Sequence, residues 1–357
     1  MAVLYMNIKV TESTERKPRP KDSELQFGKY KSDHMFLMDY AGGWRDARIE
    51  PYHGLTLDPT AKVLHYNQEV FEGMKAYRQT EGGIALFRPD MNIQRMNRSA
   101  RRMVMPKLDP DLFLDALKSL IQLDCDWVPD ADGTSLYIRP TMIATESTLG
   151  VSVSNQYLFF IITLPVGAFY AEGFNPTRIF VEQNHVRAVS GGVGEVKTSG
   201  NYSATLLASQ EAKRKGYTQI LWLDAKERKY VEEVGTSNIF FLLDDELVTP
   251  PLGGTILPGV TRDSVIQIAR DWDIKLTERP ITIEEVVEGC SSLRVKEVFA
   301  TGTATVISPV GRLAYNGAEV RIANGETGEL STKLYEEITG IQYGRKEDRF
   351  GWRVRVA

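Results

Sequence analysis

The segment from Pro165 to Pro176, PVGAFYAEGFNP, lies between two apolar strand-forming runs and is too rich in proline and glycine to continue either. This break constrains the fold most, because 357 residues exceed one typical domain. It divides the chain into a polar N-terminal arm over 1–38, a small α/β domain over 39–165, a linker over 166–176 and a large domain over 177–357. In the first half, Pro89 and Asp90 open a helix through PDMNIQRMNRSARRM. DPDLFLDALKSLIQLDCDW is a second helix, with Leu112, Phe113, Ala116, Leu117, Leu120 and Ile121 on one stripe and Asp109 or Asp111 at its start. KVLHYNQEVFEG, GIALFRP and SLYIRPTMIATES read as strands or their approaches. In the second half a helix in NYSATLLASQEAKRKGY stops at Gly216, QILWLD is a buried strand, and FFLLDDELVTPP turns as a hairpin at Asp244 and Asp245. STKLYEEITGIQYGR supplies another amphipathic helix. The expected class is α/β, more closely α+β.

Composition removes several function classes. Lys+Arg 43 against Asp+Glu 47 gives a net charge of −4, so no broad basic surface for nucleic acid is expected. The longest apolar run, YLFFIITLPV, is too short to span a bilayer and holds a proline, so no membrane association is expected. The N-terminus lacks the apolar core of a signal peptide, and Cys125 and Cys290 have no metal-like or disulfide-framework spacing, which points to the cytoplasm. The histidines form no metal-binding pattern, and no metal is expected.

The chemistry gathers in two short segments. GGVGEVKTSGNY sets Lys197 among glycines and small polar residues, which let backbone and a cofactor approach closely. A lysine that forms a Schiff base must be able to lose its proton, which partial burial favours. VEEVGTSNIF sets Glu233 ahead of a Gly-Thr-Ser turn. A carboxylate there would keep a cofactor's ring nitrogen protonated, the condition for a pyridoxal ring to act as an electron sink. A phosphate site has two candidates: the turn at Pro258 and Gly259, where Thr261 opens a helix, and TGTAT from Thr301 to Thr305.

With those residues in place, the chain resembles the branched-chain amino acid aminotransferases, members of the fold-type IV pyridoxal phosphate enzymes. The likeness runs through VFEGMKAYR, IQRMNRSARRM, LYIRPTMIATESTLGVS, LPVGAF, GGVGEVKTSGNY, EEVGTSNIFF, LVTPPLGGTILPGVTR and VFATGTATVISP. It implies a two-domain architecture with the active site in the interdomain cleft, a homodimer, and pyridoxal 5'-phosphate as cofactor. The implied reaction is reversible amino transfer from L-leucine, L-isoleucine or L-valine to 2-oxoglutarate, with small amino acids and 2-oxo acids as the partners. The alternative on the same scaffold is a D-amino acid or (R)-amine aminotransferase, or an aminodeoxychorismate lyase. YIRP and GTAT favour the L-branched-chain reading.

The same resemblance implies roles for particular residues. Lys197 carries the cofactor and shuttles the proton, Glu233 partners the pyridine nitrogen, and Tyr202 hydrogen-bonds the phenolic oxygen. Arg95 and Arg187 hold the phosphate with amides around Val260, Thr261 and Thr303, a task suited to a guanidinium fork. Arg98, Arg101 and Arg102 are then a solvated face. The substrate α-carboxylate meets the amides of Thr303 and Ala304, with Tyr66 and the cofactor-side Thr236 nearby. The aliphatic side chain enters a pocket of Phe71, Tyr137 and Phe169, completed across a dimer interface by Leu149 and Val151. Arg139 in YIRP is the expected partner of glutamate's distal carboxylate. Where some relatives carry a CxxC pair, this chain has Thr305 and Ser308, so thiol regulation of that kind is not expected.

Overall fold

A computed structural model describes residues 8–167 and 174–356, in two compact units. One comprises residues 8–167, 196–199 and 340–356, and the other 174–195 and 200–339. A contiguous division at 166–176 therefore misses two returns of the chain to the first unit. The first return is the lysine segment, where Phe71 N–H donates to Lys197 O at 3.1 Å. The second is the C-terminus, where Arg353–Arg355 pairs antiparallel with Ile84–Phe87. The region expected as an arm also enters the sheet, through Lys9–Val10 and the start of His34–Ala41.

The first unit is built on a nine-stranded sheet in the order Lys9–Val10, Trp44–Pro51, His34–Ala41, Gln156–Val166, Ser135–Ala144, Met74–Arg78, Ile84–Phe87 and Arg353–Arg355. Glu69–Phe71 pairs with Ser135–Ala144 off that path. Helix Pro110–Leu123 buries Phe113, Ala116, Leu117, Leu120 and Ile121, and Phe113 meets Phe159 of the sheet edge-on at 5.0 Å. Each large apolar side chain among them contributes about 1.5–3 kcal/mol by leaving water. The helix starts where its chemistry says: Asp109 accepts from the Asp111 and Leu112 amides, and Pro110 occupies a position that needs no N–H. Helix Pro89–Arg102 buries Arg95 and leaves Arg101 and Arg102 exposed, with Arg98 exposed between them and the helix start.

One element differs from the sequence pattern. Within KVLHYNQEVFEG, Lys62–Tyr66 is a helix and only Glu69–Phe71 is a strand. Five helical residues are too few to show a 3.6-residue period, and Asn67 ends the helix in the left-handed region at φ 49°.

The second unit holds another nine-stranded sheet, in the order Val231–Val234, Gln219–Leu223, Thr177–Val181, Val306–Tyr315, Val295–Gly302, Asn238–Leu243, Glu246–Thr249 and Leu276–Glu278, with Ala318–Arg321 on Val306–Tyr315. Ile179, Val181, Leu221, Ile239, Phe241 and Val298 lie in its core. The hairpin turns at Asp244, at φ 54°, with Leu243 opposite Glu246. Helix Val260–Asp271 begins at the expected turn, one residue before Thr261. Among the described residues no helix is long and apolar enough to cross a membrane, and no group of three His, Cys, Asp or Glu is placed to hold a metal.

Candidate cofactor and substrate site

In the first unit the short strand Glu69–Phe71 and the lysine segment run together. Phe71 N–H donates to Lys197 O, Thr198 Oγ1 donates to Glu69 O at 2.8 Å, and Lys197 N–H donates to Ser99 Oγ at 3.2 Å. Lys197 is thereby fixed by its backbone while its ammonium lies 5.1 Å from the centre of the Phe71 ring.

Beside it sits a carboxylate that motif reading missed. Glu72 has no exposed surface and accepts from Arg95 Nε at 2.7 Å, Arg95 Nη2 at 2.8 Å and Asn92 Nδ2 at 2.8 Å. Burial works to raise its carboxyl, but Arg95, with Lys197 and Asn92, outweighs burial and holds it below the usual carboxylate range. Asn92 and Arg95 are three apart on the helix, so both reach the same side. The sequence signal was this spacing, opposite the glutamate of VFEG.

Tyr137 and Arg139 share a face of Ser135–Ala144, as alternation requires. Arg139 Nη2 donates to Tyr137 Oη at 2.8 Å, and its guanidinium lies 4.7 Å from the Phe71 ring centre. Its Nε is buried with no partner among the described residues. The Tyr137 hydroxyl runs beneath Gly73, where a Cβ would collide with it, so VFEG requires glycine there. Phe27 of the N-terminal arm meets Tyr137 edge-on at 4.9 Å, a contact that nothing in the sequence signals. Burial raises the Glu69 carboxyl, opposed by the Ser199 hydroxyl and Arg139. Tyr66 donates through its hydroxyl to Leu149 O, and Leu149 and Val151 are both exposed. Phe169 lies outside the described residues.

In the second unit, Arg187, Asn201, Tyr202, Thr205, Glu233, Gly235, Thr236 and Leu257 line an open recess. Arg187, Tyr202, Glu233 and Thr236, all named from the sequence, are thus brought together. Arg187 Nη2 meets Glu233 Oε2 at 2.7 Å and also donates to Gly194 O at 2.9 Å and to Thr255 O. Asn238, which the motif reading passed over, donates to Glu233 Oε1 at 2.9 Å and Leu257 O at 2.9 Å. A Cβ on Gly259 would collide with Asn238 Oδ1, which explains a glycine directly before the helix.

Both phosphate candidates present amides. Val260 and Thr261 are the first residues of their helix, and Gly259 provides no side-chain cap. Thr303 and Ala304 form the turn between Val295–Gly302 and Val306–Tyr315, and the Thr301 and Thr305 hydroxyls are buried without partners among the described residues. Val306 closes the turn at φ 60°, a conformation a β-branched residue adopts only under constraint.

These residues fit a phosphorylated pyridine. The recess supplies a cation, an anion and a phenol, and Arg187 Nε is a buried donor with no partner among the described residues. Likeness to known proteins points the same way. Residues 69–313 match the family described as Amino-transferase class IV. Branched-chain-amino-acid transaminase 1 of Bacillus subtilis is 53% identical over 343 residues, 95% of this chain and 96% of its own length. Among solved structures, the branched-chain amino acid aminotransferase of Escherichia coli superposes with a TM-score of 0.77 at 27% identity, covering 91% of this chain and 99% of its own. The branched-chain aminotransferase of the archaeon Thermoproteus uzoniensis, solved with norvaline, gives 0.76 at 26% identity, covering 91% and 100%. The chain belongs to the class IV aminotransferases and, among them, to the branched-chain amino acid aminotransferases.

Proposed function

We propose that the two sets of residues divide the work of a pyridoxal-phosphate-dependent transfer between L-leucine, L-isoleucine or L-valine and 2-oxoglutarate. The activity is that of a branched-chain amino acid aminotransferase, and the recess that collects Arg187, Tyr202, Glu233 and Thr236 carries the reading. Bound there, pyridoxal 5'-phosphate supplies an electron sink for the substrate's α-carbon.

The chain's own residues do the rest. Glu233, steadied by Asn238, keeps the ring nitrogen protonated, and Tyr202 donates to the phenolic oxygen. Arg187, Arg95 and the amides of Val260, Thr261 and Thr303 hold the phosphate. Glu72 grips one edge of the Arg95 guanidinium and fixes its plane. Lys197 would hold the cofactor covalently and, once the substrate's amine has displaced it, would take and return the proton through its Nζ, while hydrogen bonds fix the backbone of its segment.

The substrate α-carboxylate is received by the amides of Thr303 and Ala304, with Tyr66 and Thr236 nearby. Phe71, Tyr137 and Phe169 bury the aliphatic side chain, worth about 0.8 kcal/mol per methylene. Leu149 and Val151 are apolar and exposed within one chain, which suits their serving the pocket of a second copy in a homodimer. Arg139 meets glutamate's distal carboxylate through its unpartnered Nε. Cys125 and Cys290 are free thiols, in keeping with a cytoplasmic enzyme.

Lys197→Ala tests the central assignment. Transamination should fall by at least about 10³-fold in a folded protein. The visible band that borohydride bleaches in the parent should be missing from the variant. Turnover near the parent rate would refute the role of Lys197.

A further inference from the structure

Lys62 opens the surface helix Lys62–Tyr66, whose Leu64 is exposed, yet Lys62 itself is only 1% exposed. A lysine is rarely buried so far unless its charge is paired. Its ammonium donates to Glu146 Oε2 at 3.3 Å, Ser152 Oγ at 2.8 Å and Val153 O at 3.3 Å. Its backbone N–H donates to Glu146 O at 3.2 Å. Glu146 also accepts from the Asn155 N–H at 2.7 Å. That amide first, and Lys62 after it, outweigh burial and hold the Glu146 carboxyl below its usual range.

A single cation thus joins Glu146 to Ser152 and Val153, and the Asn155 amide closes the same segment on Glu146. Within that segment stand Leu149 and Val151, 55% and 85% exposed. Apolar side chains held in water on a segment pinned at both ends are a presented surface, whereas an unpinned segment of this length would fray. The Tyr66 hydroxyl adds a further hold, on Leu149 O at the tip. We propose that Lys62 is a positioning residue: by tying Glu146 to Ser152 and Val153 it sets the conformation in which Leu149 and Val151 meet the substrate's aliphatic side chain in a second copy of the chain. This rests on the assignment of those two residues to the partner's pocket.

The test uses the holoenzyme carrying Lys62→Met, which keeps an unbranched stem without the charge. Ser152→Ala, at an exposed position, removes one hydrogen bond and leaves folding undisturbed. Lys62→Met should speed amide exchange across 147–155 and raise the KM for leucine, each by roughly tenfold, the equivalent of one charge-assisted hydrogen bond. Ser152→Ala should do both by a few-fold. The leucine kcat and the KM for glutamate should stay within about twofold, a split that general loss of structure would not produce. Unchanged exchange in both variants overturns the positioning role. Leucine and glutamate KM rising together, or a fall in kcat, overturns the link to aliphatic selection. A leucine KM unmoved by Leu149→Ala and Val151→Ala overturns the pocket assignment itself, and is recognisable as that because Lys62 remains in place.

Discussion

Each unit buries one arginine–glutamate pair among the candidate site residues, and the two are built to different ends. Glu72 and Arg95 meet through two parallel hydrogen bonds, and the remaining acceptor capacity of Glu72 is taken by Asn92 and the Gly73 amide. Glu233 and Arg187 meet through one guanidinium nitrogen, which is shared with the carbonyls of Gly194 and Thr255, while Arg187 Nε has no partner among the described residues. A carboxylate with its acceptor sites filled is a structural fixture, because its desolvation is repaid by geometry in the folded chain alone. An ion pair with an unsatisfied buried donor, lining an open recess, is one whose partners are completed by a ligand. The same two residue types are therefore set differently: in one unit the glutamate is a fixture that sets the plane of Arg95, and in the other the pair itself lines a recess.

The largest expected effect separates the pairs by stability. Glu72→Gln leaves the Arg95 charge buried beside a neutral amide, and should lower the unfolding free energy by about 3 kcal/mol, the lower part of the range for breaking a buried ion pair. Glu233→Gln should cost clearly less, since the Gly194 and Thr255 carbonyls still receive Arg187. Denaturant unfolding of the cofactor-free proteins measures both, and equal losses would abolish the distinction.

Turnover should separate them in the opposite sense. Glu233→Gln removes the charge proposed to keep the ring nitrogen protonated, and kcat should drop on the order of 10²-fold with cofactor affinity largely retained by the proposed phosphate contacts. An unchanged kcat would move the role to Glu232, whose carboxyl is raised by burial against the opposing pull of Thr255 and Arg187.

Arg139 sharpens the comparison, because it resembles Arg187 in having a buried Nε without a partner among the described residues. If unsatisfied donors mark ligand contacts, Arg139→Met should weaken the glutamate half-reaction by about 1.5–3 kcal/mol, the range for a hydrogen bond to a charged group, and the leucine half-reaction much less. Single-turnover spectroscopy follows the two separately. Equal losses would make Arg139 a structural partner of Tyr137 and Phe71, or a ligand of the shared α-carboxylate.

How much of this was legible in the sequence follows from the range of each interaction. Helix Pro110–Leu123 and the hairpin at Asp244 were legible because cap, period and turn are written within a few residues. The recess residues were legible because GEVKTSGNY and EEVGTSN are local strings with chemical meaning. Arg353–Arg355 was not, since its partner Ile84–Phe87 lies most of the chain away and three residues carry no period. Glu72 was missed for the same reason: it becomes a fixture only when a helix brings Arg95 and Asn92 to it. Lys62 read as part of a strand approach because nothing adjacent to it announces that its ammonium is buried.

The smallest effect is a pH dependence of the scaffold pair. The Glu72 carboxyl is held below its ordinary value of 4.5, burial being outweighed chiefly by Arg95. A carboxylate depressed in the folded state contributes stability that is fully present above the unfolded value and is lost as pH falls through the folded one. Between those two values the unfolded chain binds the proton that the folded chain refuses, so the parent protein should lose stability faster with falling pH than Glu72→Gln does. One proton limits the difference in slope to about 1.4 kcal/mol per pH unit. The gap in unfolding free energy between the two proteins should be constant from about pH 7 down to about 4.5 and narrow below it, because glutamine has no proton to gain. Measuring both proteins side by side cancels the other carboxylates, which titrate alike in each. Parallel curves below about pH 4.5 would mean that Glu72 is not held as a carboxylate by Arg95, and the contrast between the two pairs would rest on geometry alone.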